Sequence, residues 1–123
     1  MGLQQELVSI EQRLWTGGAR TYRQNLDEDC LIAFTEMAGV SKREDVAGTV
    51  NDVERWRDIE IDVEGFLQPT EDVALLTYRA SAIRGQGEQY RALISSGYVN
   101  RDGTWRLMFH QQTPLPGQSA GPG

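Results

Sequence analysis

Between residues 57 and 113 the chain alternates between segments rich in β-branched and aromatic residues and short turns. The segments span about 57–67, 73–83, 89–99 and 104–113, and the turns contain QPTED, RGQGE and NRDGT. Clusters of Gly, Pro, Asn and Asp between apolar runs are typical of hairpin connections. The pattern predicts a meander of four antiparallel strands.

The residues before this meander have a different periodicity. Leu3, Leu7, Ile10 and Leu14 recur at spacings of three and four, which places them on one face of an amphipathic helix. The sequence TGGA at 16–19 ends that helix, because glycines interrupt helical periodicity. The chain is therefore predicted to begin with a helix that packs through one apolar face.

Three further elements are predicted before the meander. Tyr22 and Leu26, four residues apart, indicate a short second helix, and the apolar run CLIAFTEM at 30–37 indicates a strand. SKRE at 41–44 has the Ser-x-x-Glu spacing of a capping box and predicts a third helix that runs to about Val53. Helices followed by a run of strands predict an α+β fold, with the helices packed on one face of an antiparallel sheet.

Composition limits the classes of function. A chain of 123 residues fits one domain, which we place at 1–115, and the Gly- and Pro-rich residues 116–123 are expected to form a flexible tail. The net charge of −6 argues against nucleic acid and anionic membranes as partners. The N-terminus resembles no signal peptide, so we expect a cytoplasmic protein. With one cysteine and one histidine, we expect neither a metal site nor a cofactor.

The turns also predict which side chains share a face of the sheet. Hairpins centred on each turn place Ile61 opposite Arg79, Arg79 opposite Leu93, and Ser95 opposite Phe109. A slip of one residue in any turn would exchange the two faces of the next strand. The face with the greater aliphatic share is expected to meet the helices: Ile59, Ile61, Val63, Leu75, Thr77, Arg79, Arg91, Leu93, Ser95, Trp105, Leu107, Phe109 and Gln111.

The opposite face is expected to point away from the helices. It combines an acidic stripe with a middle that is too apolar for a free surface, which predicts a partner, most simply a second copy of the chain. Its members are Asp58, Glu60, Asp62, Glu64, Leu76, Tyr78, Tyr90, Ile94, Tyr98, Met108 and His110. The residues expected to form the contacts of this homodimer are Tyr78, Ile94, Tyr98, Met108 and His110.

Several motifs resemble those of the nuclear transport factor 2-like superfamily, and more narrowly its SnoaL-like and ketosteroid isomerase-like branch of bacterial domains. They are LWTGGARTYRQNL at 14–26, AGVSKRE at 38–44, ALLTYRASA at 74–82, YRALISSGYV at 90–99 and WRLMFHQQTP at 105–114. The resemblance implies a cone in which helices and a curled sheet enclose a pocket, and dimers that form through the outer face of the sheet. It implies no single function, because one fold hosts many.

Arginines on the helix-facing side of the predicted sheet are the first candidate binding residues. A guanidinium keeps its proton, so a buried Arg79 needs either a carboxylate partner, such as Glu36, or an anionic ligand. In the second case Arg79 would bind an anionic or carbonyl group of a small molecule. The residues expected to assist it are Ser95, Gln111, Thr77, Tyr22 and Arg91.

His110 has two interpretations. On the outer face it would lie in the dimer interface, bonded to a group of the partner, whereas in the pocket it could act as an acid or base. The sequence does not match the carboxylate base and oxyanion hole of ketosteroid isomerase, although Tyr22 could supply one hydroxyl and Glu36 one carboxylate. Three functions therefore stay open: a small-molecule-binding domain with a mostly apolar pocket, an enzyme of the isomerase, cyclase or hydratase kind, and a dimerisation module with a filled pocket.

Overall fold

The structure, a computed structural model, describes residues 2–50 and 55–115. Its helices are α1 (Leu3–Thr16), α2 (Ala19–Asn25) and α3 (Arg43–Gly48). Its strands are β1 (Leu26–Ala33), β2 (Ala38–Lys42), β3 (Arg57–Thr70), β4 (Val73–Arg84), β5 (Glu88–Arg101) and β6 (Thr104–Pro114). The predicted tail at 116–123 and the predicted end of the third helix near residue 53 lie outside the described residues.

The six strands form one curled, unclosed sheet in the order β2-β1-β6-β5-β4-β3. Strands β3 to β6 form the predicted antiparallel meander, and β2 pairs antiparallel with β1. Strand β1 runs parallel to β6, so the sheet is mixed rather than purely antiparallel. The α+β class with three helices and a curled sheet is confirmed. Within the described residues, no helix combines the length and the apolar character needed to cross a membrane.

The first helix follows its predicted periodicity. Leu7, Ile10 and Leu14 are buried against the sheet, as the spacing requires. Gly17 follows the helix directly, and a side chain there would not fit, because a Cβ atom would lie 2.4 Å from the Thr21 hydroxyl oxygen. This close approach lets the chain turn at once into α2.

The segment between the second helix and the meander differs from its prediction. The single predicted strand at 30–37 is the end of β1, and β2, which was not predicted, follows at Ala38–Lys42. The predicted capping box is wrong, since Ser41 belongs to β2 and pairs with Cys30, while Lys42 is the N-cap of α3 and makes no side-chain capping bond. Strand β2 is exposed along most of its length, so its residues lack the apolar alternation that marks a half-buried strand.

The faces of β4, of β5 and of the end of β6 are the reverse of the prediction, whereas Ile61 in β3 pairs with the inward-facing Ala80 and lies on the predicted helix side. Tyr78, Ile94 and Tyr98 are 0% exposed and face the helices, whereas Arg79 is exposed on the other side. Strand pairing explains the error, because Arg79 lies opposite Asp62 rather than Ile61, and this slip of one residue exchanges the faces of the strands that follow. The inner face of β4 and β5 is built from tyrosines and from small residues, so a count of aliphatic side chains did not reveal the slip. The small residues are Ala74, Ala80, Ala82 and Ala92.

This reversal also corrects the predicted dimer contacts. Tyr78, Ile94 and Tyr98 are fully buried within a single chain, so they have no surface to offer to a second copy. Met108 and His110 are half-buried, and His110 lies on the inner face. Tyr78, Ile94 and Tyr98 therefore cannot form the predicted contacts of a dimer.

A bulge in β6 determines which residues of that strand lie on the inner face of the sheet. Gly97 pairs with Phe109, but the next residue, Tyr98, pairs with Leu107, so Met108 is the extra residue in β6. Leu107 and His110 consequently share the inner face, although residues three positions apart lie on opposite faces of a regular strand. The sequence prediction assumed unbroken alternation and assigned them to opposite faces.

Candidate functional site

A cavity of about 240 Å³ lies between the helices and the inner face of the sheet. Its apolar wall consists of Leu14, Trp15, Leu26, Ile32, Phe34, Met37, Val46, Val50, Trp56 and Leu107. Its polar lining consists of Glu11, Tyr22, Thr49, Arg55, Arg84, His110 and Gln112. A mostly apolar wall with a few polar groups is the usual composition of a small-molecule site.

Glu11 is the acidic group of this lining, and it is 0% exposed. The hydroxyl of Tyr78 donates to its Oε1 and the hydroxyl of Tyr98 donates to its Oε2. The indole N–H of Trp15, one helical turn along α1, donates to the Tyr78 oxygen at 3.0 Å. The Glu11 carboxylate of α1 is thus held by hydrogen bonds from two neighbouring strands, β4 and β5.

The two tyrosines are firm donors. Burial raises the pKa of Tyr78 and of Tyr98 well above the ordinary value for a phenol, and the nearby Glu11 carboxylate raises both further. Both hydroxyls therefore keep their protons near neutral pH and can donate to Glu11.

His110 forms a second polar group of the cavity. The Gln112 side-chain nitrogen lies 3.2 Å from its Nε2, and because an amide nitrogen can only donate, Nε2 is the acceptor. The ring proton is then on Nδ1, which donates to the Ser96 hydroxyl at 2.9 Å. Tyr90 orients Gln112 by donating to its Oε1 at 2.9 Å. His110 is thus held as one neutral tautomer.

The electrostatics of His110 agree with this tautomer. Burial lowers its pKa below the ordinary value for histidine, and the negative charge of Glu11 opposes this only in part. Phe34 covers the ring, with 5.8 Å between the ring centroids. The imidazole is therefore uncharged near neutral pH. A neutral imidazole in a cavity wall can accept a hydrogen bond or a proton.

Arg55 closes the C-terminal end of α1. Its Nη2 donates to the carbonyl oxygens of Leu14 at 2.8 Å and Trp15 at 3.1 Å, and its Nε donates to the carbonyl of Gly17. These are carbonyls that a helix end leaves without an intrahelical partner, and a cation there is favourable. Nη2 also lies 3.4 Å from the hydroxyl oxygen of Tyr22. Since Tyr22 accepts from Arg55, it can direct its own proton into the cavity.

Aromatic rings close one side of the cavity. Trp56 lies 5.8 Å from Trp15 and 5.1 Å from Tyr90, measured between ring centroids. The guanidinium of Arg84 lies 4.9 Å above the Trp56 ring, a cation–π contact. These aromatic rings give the cavity broad apolar surfaces beside its charged groups.

The structure places one of the predicted ligand-binding residues in the cavity, namely Tyr22. The other five lie on the outer face of the sheet: Arg79, Arg91, Thr77, Ser95 and Gln111. Their predicted location inside the cone is wrong, because the two faces are exchanged. Ligand binding by these five residues stays a prediction, separate from the cavity.

The outer residues have partners of their own. Arg79 lies 3.6 Å from Glu64, so the acid that faces it is on β3 and not the expected Glu36. Both side chains are about half exposed, and such a pair contributes little to stability. The Thr77 hydroxyl lies 3.2 Å from that of Ser95 across β4 and β5. These contacts form a polar band on the outside of the sheet.

Of the groups expected to transfer protons, Tyr22 and His110 line the cavity, whereas Glu36 is exposed and does not. Glu11 takes the place of Glu36, and Ser96 and Arg55 were also missed. Glu11 left a signal, since it falls between Leu7 and Trp15 at spacings of four on the apolar face of the first helix. An acid on such a face must find buried partners. Nothing in the sequence marks Arg55. In the described part of the chain, no three His, Cys, Asp or Glu side chains are grouped closely enough to hold a metal ion.

No protein-family model and no curated protein matches this sequence. Solved structures match closely in shape. A nuclear transport factor 2-like (NTF2-like) protein of unknown function from Prochlorococcus superposes with a TM-score of 0.72 at 14% identity, covering 98% of this chain and 99% of that one. A protein from Exiguobacterium sibiricum, named as a proposed calcium/calmodulin-dependent kinase II association domain, gives 0.69 at 21% identity, covering 92% and 90%.

A third structure is named as a proposed ketosteroid isomerase, from Parabacteroides distasonis, and superposes with a TM-score of 0.66 at 12% identity, covering 94% of this chain and 89% of that one. These neighbours share the shape of the chain along most of its length while their names describe different activities. The three helices and the curled sheet agree with the superfamily that the sequence motifs resemble. The chain has the nuclear transport factor 2-like fold.

Proposed function

We propose that the protein is a ligand-binding domain whose cavity takes a small organic molecule with an apolar body and one polar group. The observation that carries this proposal is the composition of the cavity, in which the buried Glu11 and the neutral His110 interrupt a wall of aromatic and aliphatic side chains. A core that served stability alone would gain little from a buried carboxylate, because desolvation of the charge opposes folding.

The size of the cavity limits the ligand. Sites for drug-sized molecules enclose roughly 300–1,000 Å³. The cavity of about 240 Å³ lies below that range, so a single-ring molecule is the expected scale. The expectation that Arg79 binds an anionic group finds no support at this cavity, because Arg79 pairs with Glu64 outside it.

A matched pair of variants tests the cavity as the binding site. Val50 lines the cavity and Val63 is 36% exposed, so Val50→Phe fills the site while Val63→Phe makes the same change at an exposed position outside the cavity. We expect single-ring fragments to raise the melting temperature of the wild type and of Val63→Phe, and to leave Val50→Phe unchanged. Saturation at a hundred times Kd stabilises a protein by about 2.7 kcal/mol, which is readily measured.

Trp15 and Trp56 line the cavity, so quenching of their fluorescence gives an independent reading of the same titrations. Fragments that bind Val50→Phe as well as the wild type would show that the cavity is not the site. A library that stabilises neither the wild type nor Val63→Phe would argue against a ligand-binding domain altogether.

We further propose that two copies associate through the outer face of the sheet. Strand pairing aligns one apolar row across all six strands, and its members are Leu67, Leu75, Gly97, Phe109, Leu31 and Val40. The four aliphatic members are between 39% and 73% exposed, which is costly for a free surface. The neighbour from Exiguobacterium sibiricum, named as a proposed association domain, supports self-association.

A charge placed in this row should separate the copies. We expect the wild type to sediment as a dimer and Leu75→Glu to shift the equilibrium toward monomer by at least about tenfold, or 1.4 kcal/mol. Val63→Glu, at a position of similar exposure outside the row, is the control and should stay dimeric. Equal sedimentation of the wild type and Leu75→Glu would contradict this surface.

A further inference from the structure

We propose that the polar group of the ligand is a protonated amine, and that Glu11 binds it. This inference rests on the proposed function, since it assigns a chemical class to the ligand of the same cavity. It identifies Glu11 as the residue that determines charge specificity.

The hydrogen bonds around Glu11 are those of an ionised carboxylate. Both oxygens accept from tyrosine hydroxyls, one from Tyr78 and one from Tyr98. The hydroxyl of Tyr78 has only one proton, and with the Trp15 N–H donating to its oxygen, that proton is directed at Glu11. Hydrogen bonds to both oxygens favour the charged form of a carboxyl group.

Within the described residues, the hydrogen-bond partners of Glu11 are neutral, and no ion pair includes it. The ion pairs found there join other groups: Arg23 with Glu44, Lys42 with Asp29, Arg79 with Glu64 and Arg101 with Asp27. A buried charge without an opposite charge is costly to maintain. An ammonium group entering the cavity would supply that charge. A carboxylate has about four acceptor positions, and the tyrosines use two, so Glu11 can accept further hydrogen bonds from the amine.

The arginines of the lining are engaged elsewhere. The N–H groups of Arg55 point at the carbonyls of Leu14, Trp15 and Gly17, which use its donors in closing α1. The guanidinium of Arg84 lies over the face of Trp56. Neither arrangement matches a site built to bind an anion through a fork of free guanidinium donors. The aromatic faces of the wall, in contrast, attract a cation.

A series of three probes of similar shape tests the sign of the charge. Benzylamine, benzyl alcohol and benzoate share one ring and differ in carrying a positive, a neutral or a negative group at pH 7. We expect benzylamine to bind the wild type at least tenfold more tightly than benzyl alcohol, and benzoate to bind most weakly. The comparison within the wild type needs no variant, so it is informative even where a substitution impairs folding.

Glu11→Gln keeps the shape and removes the charge. It should bring the affinity for benzylamine to within about threefold of that for benzyl alcohol. Glu6→Gln, an exposed position on the same helix, is the matched control and should keep the preference for the amine. Retention of the preference in Glu11→Gln would overturn the assignment to this residue.

The remaining outcomes separate this inference from the proposed function. Tighter binding of benzoate, or equal binding of the three probes, would overturn the amine assignment and leave a ligand-binding domain of another specificity. Single-ring fragments that bind the cavity while all three probes fail would also overturn it. Failure of every fragment to bind would instead overturn the proposed function.

Discussion

Replacing Tyr98 with Phe is expected to lower the free energy of unfolding by about 2–3 kcal/mol, the upper range for a hydrogen bond to a charged group. The substitution removes one hydroxyl and keeps the ring, so packing around the fully buried side chain is preserved. One oxygen of the buried Glu11 then loses its hydrogen-bond donor. Because no water replaces that donor, the folded state is destabilised. Urea or thermal unfolding measures the change.

Tyr90→Phe is the matched control. The hydroxyl of Tyr90 donates to the neutral Gln112 in a half-buried position, so the expected loss is about 0.5–1.5 kcal/mol. In a Glu11→Gln background the loss caused by Tyr98→Phe should fall toward the same range, because the acceptor is no longer charged. Equal losses for Tyr98→Phe and Tyr90→Phe in the wild type would contradict an ionised Glu11.

Acidification below pH 6.5 is expected to destabilise the fold through His110, with a slope that approaches about 1.4 kcal/mol per pH unit. Burial lowers the pKa of His110 in the folded protein, whereas the unfolded chain has the ordinary value of about 6.5. Above that value both states are neutral and His110 makes no pH-dependent contribution. Below it the unfolded chain binds a proton first, so stability falls until the pH passes the lower pKa of the folded state.

His110 is the only histidine of the chain, so its contribution is easy to isolate. The His110→Gln variant should lose the slope between pH 6.5 and 5 and keep the steeper losses at lower pH that come from carboxyl groups. Direct titration of the imidazole by NMR should give a pKa below 6.5. A measured pKa above 6.5, with stability rising as the pH falls, would show that the imidazole is not buried as a neutral group.

The parts of the fold that the sequence predicted are those that local patterns determine. The spacing from Leu3 to Leu14 marks α1, and the turn residues mark the hairpins from β3 to β6. Strand β2 escaped prediction because it is a short, exposed edge strand, whose sequence AGVSK carries no apolar alternation. The pairing of β1 beside β6 joins distant segments, and no local pattern encodes such a contact.

The exchange of faces in β4 and β5 follows from a slip of one residue in the predicted pairing with β3, which the turn sequence does not reveal. The inner face of these strands combines Tyr78 and Tyr98 with alanines, and the tyrosine hydroxyls have a buried partner in Glu11. That partner lies far away in the sequence. The bulge at Met108 then changes the alternation in β6, so even a correct choice of face would have misplaced either Leu107 or His110.

The candidate site was therefore predictable only in part. Tyr22 was placed correctly because it follows the first helix and belongs to a short element that faces the sheet. Glu11 could have been found from its position on an apolar helix face. Arg55 could not, because its function depends on the end of α1 lying next to it in space, with its Nη2 within 3.1 Å of two carbonyl oxygens.

The most direct test of the ligand-binding proposal is a crystal structure of the protein grown with benzylamine. We expect density for the ring between Trp15, Phe34 and Leu107, with the amine within hydrogen-bond distance of the Glu11 carboxylate. The hydroxyls of Tyr78 and Tyr98 should still donate to that carboxylate. A cavity filled by rearranged side chains, with benzylamine absent or bound only at the surface, would contradict the proposal.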